Sequence, residues 1–74
     1  MKRVGTVVGA AQGVAVVRAE SDEYPDFGTS VVDDQLDEVG AVVDVFGPVE
    51  RPYVAVSPTD RPVTPLVGSV LYAR

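Results

Sequence analysis

The sequence predicts an all-β fold, in the form of a small barrel that closes on itself. Valine supplies 18 of the 74 residues, whereas isoleucine is absent and leucine occurs three times. Valine loses side-chain freedom in helices and packs well on a pleated surface. Seven glycines and six prolines divide the chain into short apolar runs, as is typical of strands joined by turns. So short a chain cannot supply two full sheets, and closure removes exposed strand edges.

Turn residues separate these runs into six predicted strands, of which the third is short. The expected strands cover residues 3–11, 14–19, 29–32, 39–46, 52–57 and 67–73. Strands one and two form a hairpin around Gln12 and Gly13, because glycine tolerates positive φ. Strand three lies between a loop that Tyr24 and Phe27 are expected to anchor and a polar turn over residues 33–38.

Prolines define the limits of the later strands. Gly47 and Pro48 end strand four, because proline cannot continue a central ladder. Pro52 opens strand five, where a missing N–H does least harm. Residues 58–65 contain three prolines and are predicted to form a loop before the closing strand. Because the chain shows no internal repeat, no low-complexity tract and no domain boundary, we expect one domain over residues 1–74.

The composition argues against an enzyme. The absence of cysteine excludes disulfides, thiolate metal sites and a cysteine nucleophile, and the absence of histidine removes the usual general base. The net charge of −5 is opposite in sign to that of most free-standing nucleic-acid binders. We therefore expect no catalytic residue, metal, cofactor or small-molecule substrate. Without a long apolar run or a signal-peptide pattern, we expect a cytoplasmic protein with no membrane partner.

Eight of the eleven acidic residues lie between residues 20 and 38, a stretch without lysine or arginine. The pairs Asp33–Asp34 and Asp37–Glu38 have the residue types needed for acid–base work or for binding Mg²⁺ or Ca²⁺. Without histidine or apolar surroundings, however, nothing is expected to shift the pKa values of these carboxyl groups usefully. Their spacing does not match an EF-hand loop. We therefore expect a solvated acidic face.

The most informative segment covers residues 40–56 and predicts a strand, a rigid loop and a second strand. Gly47 and the two prolines restrict the backbone, so the loop loses little entropy on docking. Phe46, Val49 and Tyr53 offer the aromatic and apolar anchors used by interface hot spots. The candidate partner-binding residues are Phe46, Gly47, Pro48, Val49, Pro52 and Tyr53. From the residues alone, a hairpin with two core aromatics is an equally good interpretation.

This segment resembles the signature of the Gar/Naf family, the β-barrel subunit of H/ACA ribonucleoproteins. The family pattern is approximately Gly-x-Val-x-Asp-Val/Ile-Phe-Gly-Pro-Val-x-x-Pro-Tyr-Val-x-Val. The matching residues are Gly40, Val42, Asp44, Val45, Phe46, Gly47, Pro48, Val49, Pro52, Tyr53, Val54 and Val56. Similarities in the opening, third and closing strands extend the resemblance over nearly the whole chain.

The resemblance implies a six-stranded barrel of the translation-factor type (reductase/isomerase/elongation-factor) without catalytic activity of its own. Its implied partner is the catalytic pseudouridine synthase subunit of the H/ACA complex. The barrel would dock on the catalytic domain, help to position the mobile substrate-gripping loop of the synthase, and promote RNA-guided pseudouridylation, turnover and product release in rRNA. Guide RNA would be contacted only indirectly, in agreement with the net charge of −5.

Three alternative interpretations of the sequence remain, and the composition also indicates the type of source organism. A PRC or ribosome-maturation-type barrel that binds a ribosomal or other protein fits residues 40–45, but it does not account for the Gly-Pro-Val-x-x-Pro-Tyr continuation. An assembly-factor paralogue within the family normally carries long extensions. The third alternative is an enzyme that uses the acidic turn. The absence of Gly-Arg-rich tails indicates an archaeal source, since eukaryotic relatives are nucleolar, and the acidic composition suits a halophilic cytoplasm.

Overall fold

The computed structural model describes residues 2–74, which form six strands and one short 3₁₀-helix. The strands are β1 (Lys2–Ala11), β2 (Val14–Ala19), β3 (Ser30–Val32), β4 (Glu38–Phe46), β5 (Tyr53–Pro58) and β6 (Val70–Ala73). All neighbouring strands are antiparallel, and they close in the order β1-β2-β5-β4-β3-β6. The predicted all-β fold and closed six-stranded barrel are thereby confirmed. Within residues 2–74, no helix is long and apolar enough to cross a membrane.

The predicted strand limits agree with the structure to within one residue, except at the last strand. Gln12 and Gly13 form the first hairpin turn with φ of 53° and 82°, the two positive values that suit a two-residue turn between twisted strands. The last strand begins at Val70, not at Val67. Val67 donates its N–H to the carbonyl oxygen of Thr64, so the chain is still turning out of the 3₁₀-helix at this point.

The core consists of the inward-facing side chains of all six strands, most of them valines. Val63 and Leu66 from the connection between β5 and β6 join them, so the predicted loop over residues 58–65 also supplies core residues. At buried Gly40, β4 passes so close to β5 that a Cβ atom would collide with the carbonyl group of Ser57. Glycine is therefore required at this crossing.

The loop before β3 differs from the expectation. Tyr24 and Phe27 are 53% and 64% exposed, so the prediction that these rings anchor the loop is wrong. Backbone hydrogen bonds hold it instead: Gly28 N–H donates to the carbonyl oxygen of Val42 at 2.7 Å, and Val42 N–H donates to that of Thr29 at 3.0 Å. Both rings are consequently left facing solvent.

Candidate protein-docking site

A hairpin loop joins the ends of β4 and β5 at the segment singled out by the sequence. Phe46 and Tyr53 face each other in register, and the chain between them turns back on itself. The turn is closed by a hydrogen bond of 3.3 Å from Arg51 N–H to the carbonyl oxygen of Pro48. Val49 therefore lies in the turn, where 84% of its surface is exposed.

The base of this loop is fixed to the end of β2. Ala19 N–H donates to the carbonyl oxygen of Pro52 at 3.0 Å, and Arg51 Nε donates to the carbonyl oxygen of Ala19 at 2.9 Å. Pro52 is buried at the base of the loop, so little of its ring is exposed there. The loop is thus held at both its turn and its base.

Tyr53 lies at the centre of a ladder that crosses three strands. Register places it beside Arg18 of β2 and Phe46 of β4. The guanidinium carbon of Arg18 lies 4.7 Å from the centre of the Tyr53 ring, and Arg18 Nη1 donates to the Tyr53 hydroxyl oxygen at 2.7 Å. The Phe46 ring stacks on Tyr53 with centres 5.5 Å apart and an angle of 22° between planes. Cation–π and aromatic contacts therefore reinforce the hairpin.

The six predicted binding residues divide by exposure. Phe46 is 46% exposed, and Gly47, Pro48 and Val49 are also open to solvent. Tyr53 is half-buried between its neighbours on the outer face of the barrel. Neither aromatic ring belongs to the core, so the interpretation as a hairpin with two core aromatics does not hold.

A groove of about 350 Å³ runs beside the loop. One wall consists of the hairpin residues, and the other comes from the segment after β2, through Asp22 and Tyr24. The lining residues are Asp22, Tyr24, Val45, Phe46, Gly47, Pro48, Val49 and Pro52. Arg18, Asp22 and Tyr24 could not be identified as site residues from the sequence, because contacts between non-consecutive elements leave no pattern in a single sequence.

The acidic stretch is not uniformly solvated, and Asp33 corrects that expectation. Asp33 is 8% exposed, and its Oδ1 accepts hydrogen bonds from the N–H groups of Gln35 at 2.9 Å and Asp37 at 3.0 Å. Its Oδ2 accepts one from Arg61 at 3.0 Å. Burial raises the pKa of Asp33, but the bonds from Asp37, Gln35 and Arg61 outweigh this effect and hold the pKa below its usual value. Asp33 thus organises the turn between β3 and β4.

Two further acidic side chains of the stretch, Glu20 and Glu23, form ion pairs. Lys2 forms an ion pair of 2.8 Å with Glu23, and its hydrogen bond lowers the pKa of the Glu23 carboxyl group. Arg3 forms an ion pair of 2.9 Å with Glu20. In the part of the chain that the structure describes, no three acidic side chains are grouped to hold a metal ion.

All six lysine and arginine side chains make contacts within the chain. Three form ion pairs with acidic residues, and three donate to uncharged oxygens. These six are Lys2, Arg3, Arg18, Arg51, Arg61 and Arg74. Three of the six positive charges are thus paired with a carboxylate, and the other three side chains are held by uncharged oxygens.

Comparison with known protein families matches residues 1–73 to the family described as Gar1/Naf1 RNA binding region. A search of curated proteins finds no significant match. The family match extends over nearly the whole chain and agrees with the resemblance carried by residues 40–56. The matched residues therefore include all six strands, the β4–β5 hairpin and the contacts of Arg18, Tyr53 and Phe46. This chain therefore belongs to the Gar1/Naf1 family, the accessory proteins of H/ACA ribonucleoproteins.

Proposed function

We propose that this chain is a non-catalytic subunit that docks on the catalytic domain of the H/ACA pseudouridine synthase through its β4–β5 hairpin. In that position it promotes RNA-guided pseudouridylation of rRNA, substrate turnover and product release. The observation that supports the proposal most directly is the exposed apolar turn at Val49, presented by a loop that is fixed at both ends.

A loop built in this way is suited to binding a folded partner. Its backbone is held by the Arg51–Pro48 turn and by the two bonds to Ala19, so little conformational freedom remains to be lost on docking. Phe46 and Val49 already expose apolar surface, and burying such anchors is the main source of affinity at protein interfaces. The stacked Tyr53 ring beneath Phe46 keeps that surface in place.

We further propose that guide RNA is contacted through the partner and not by this barrel directly. The family description names RNA binding, but the charges of this chain support a protein contact. The net charge is −5, and every lysine and arginine is engaged by an oxygen of the same chain. Because the net charge repels phosphate and three of the six cations are paired with carboxylates, the isolated protein should bind guide RNA weakly and with a small salt dependence.

Calorimetry with the purified synthase tests docking, and a pseudouridylation assay with and without this protein tests the role. We expect micromolar or tighter binding, and a stimulation seen mainly under multiple turnover, when product release limits the rate. Absence of binding across a range of salt concentrations would overturn the proposal. Recovery of ribosomal proteins in place of the synthase from a pull-down would favour the PRC or ribosome-maturation-type alternative.

A further inference from the structure

We propose that the docking surface includes the loop after β2, and that its groove receives a protein segment with an apolar side chain next to a lysine or arginine. This inference rests on the proposed docking function and adds the chemistry of the segment that is bound. Two loop residues carry it, Asp22 and Tyr24, which line the groove opposite the hairpin.

The shape and lining of the groove favour an apolar side chain at its centre. Tyr24 is 53% exposed although it is an aromatic residue, and it lines the same groove as Phe46 and Val49. The hairpin wall is rigid, so a side chain placed between the two walls would bury apolar surface on both sides. A central aromatic and aliphatic cluster of this kind is the composition of interface hot spots.

The negative charge at the groove favours a cationic residue of the partner next to the bound apolar side chain. Asp22 is the one charged residue among those that line it. Its acidic neighbours Glu20 and Glu23 are paired with Arg3 and Lys2, whereas Asp22 forms no ion pair with any residue in 2–74. A lysine or arginine on the partner would supply the missing counter-charge.

The two arginines nearest the hairpin do not offset this negative charge within the groove. Arg18 donates to the hydroxyl oxygen of Tyr53, and Arg51 Nε donates to the carbonyl oxygen of Ala19. Neither lines the groove. An RNA phosphate placed there would meet Asp22 with no cation among the lining residues, so the groove favours a protein segment over RNA.

Two substitutions in the full chain test the inference by calorimetry with the synthase. We expect Tyr24→Ala and Asp22→Lys each to weaken binding about tenfold, and the effect of Asp22→Lys to shrink as salt is raised. Matched controls are Phe27→Ala, an exposed ring outside the groove, and Asp34→Lys, an exposed acid on the β3–β4 turn. These controls should change affinity by less than about twofold, because they leave the groove intact.

The outcomes separate this inference from the function on which it rests. If the unmodified protein does not bind the synthase, the docking function fails and the inference fails with it. If Val49→Asp abolishes binding while Tyr24→Ala and Asp22→Lys behave like their controls, the docking function stands and the inference is overturned. The inference is also overturned if Asp22→Lys binds the synthase more tightly than the unmodified protein does. It is overturned as well if the unmodified protein binds guide RNA more tightly than the synthase and both groove variants lose that binding, or if the unmodified protein self-associates and both groove variants do not. Unchanged melting temperatures would show that these exposed positions leave the fold intact.

Discussion

The ring of Tyr53 packs against the backbone of Gly47 so closely that a Cβ atom on Gly47 would lie 2.8 Å from Tyr53 Cδ2. Gly47 also has a φ of +91°, a conformation that side chains with a Cβ rarely adopt. Both constraints act on one residue of the family signature. We therefore expect Gly47→Ala to lower the free energy of unfolding by about 3 kcal/mol, measured by urea denaturation.

Gly68→Ala is the matched control for this substitution. Gly68 has a similar φ of +94°, but nothing lies within 4 Å of the position that its Cβ would occupy. We expect Gly68→Ala to lower the free energy of unfolding by about 1 kcal/mol, because only the backbone conformation opposes it. Equal losses for the two variants would show that the Tyr53 ring does not restrict position 47.

We expect the Tyr53 hydroxyl group to contribute to the stability of the fold and not to docking. Tyr53→Phe removes the 2.7 Å bond from Arg18 and leaves the ring between Arg18 and Phe46. We expect a loss of stability of about 1–2 kcal/mol, because the guanidinium group of Arg18 already has a buried Nε without a partner among the described residues. Affinity for the synthase should stay within about twofold of the unmodified protein, because the exposed anchors are unchanged.

In contrast to Tyr53→Phe, Val49→Asp should weaken docking and leave the stability of the fold nearly unchanged. Because 84% of the side chain is exposed, the substitution should change the melting temperature by no more than about 2 °C. It places a charge in the middle of the proposed interface, so affinity for the synthase should fall by about 2 kcal/mol or more. Pro48→Ala should weaken docking, because it loosens the same turn. The control is Leu36→Asp, since Leu36 is likewise an exposed apolar residue in a turn but lies outside the hairpin. Equal affinity for the Val49 and Leu36 variants would place the docking surface elsewhere.

The barrel could be predicted from the sequence because its determinants are local. Valine runs, the Gln12–Gly13 turn and the proline stops each act over a few residues, and they define all six strands. The start of β6 was misjudged because Val67 belongs to an apolar run but is held by the 3₁₀-helix before it. The competing local hydrogen bond has no distinct signature in the sequence.

The site could be predicted only in part, because its remaining residues meet through the barrel topology. The candidate residues Phe46 and Val49 lie within one segment, and both are exposed on the hairpin as the hypothesis requires. Arg18 reaches Tyr53 because β2 pairs with β5, two strands that are not consecutive in the chain. Tyr24 was predicted to anchor its own loop, whereas in the structure it is exposed and lines the groove beside the hairpin. The closed strand order converts these distant positions into one surface.

The hydrogen bonds that the Asp33 carboxylate accepts from the N–H groups of Asp37 and Gln35, together with its ion pair with Arg61, should make the fold sensitive to acid. The pKa of Asp33 is lower in the folded chain than in the unfolded chain, so its ionised form stabilises the fold. That contribution is complete above the usual aspartate pKa of about 3.9 and is lost as the pH falls through the lower folded-state value. Asp33→Asn keeps an oxygen that can accept hydrogen bonds from the N–H groups of Gln35 and Asp37, but it loses the charge that pairs with Arg61. We expect this substitution to lower the free energy of unfolding by about 1 kcal/mol near neutral pH.

Denaturation curves of the unmodified protein and of Asp33→Asn, recorded from pH 7 to pH 2, measure this contribution. The difference in stability between them should narrow below about pH 4 and vanish when Asp33 is protonated in both states. Asp33→Ala should cost more at every pH, because it also leaves two turn N–H groups without their acceptor. A difference between the unmodified protein and Asp33→Asn that stays constant with pH would exclude Asp33 as the titrating group.

Leu36 occupies a turn position that favours a different residue type. Its φ is +67°, in the left-handed region where asparagine and glycine are preferred, and its side chain is exposed. Its carbonyl oxygen accepts from Arg74, and its N–H donates to Asp33, so the backbone contacts do not depend on the leucine side chain. We expect Leu36→Asn to raise the free energy of unfolding by about 0.5–1 kcal/mol, because the left-handed conformation costs asparagine less. Gln35→Asn, one residue earlier at an ordinary negative φ, should not stabilise the protein, and an equal gain at both positions would mean that the backbone conformation of Leu36 is not the cause.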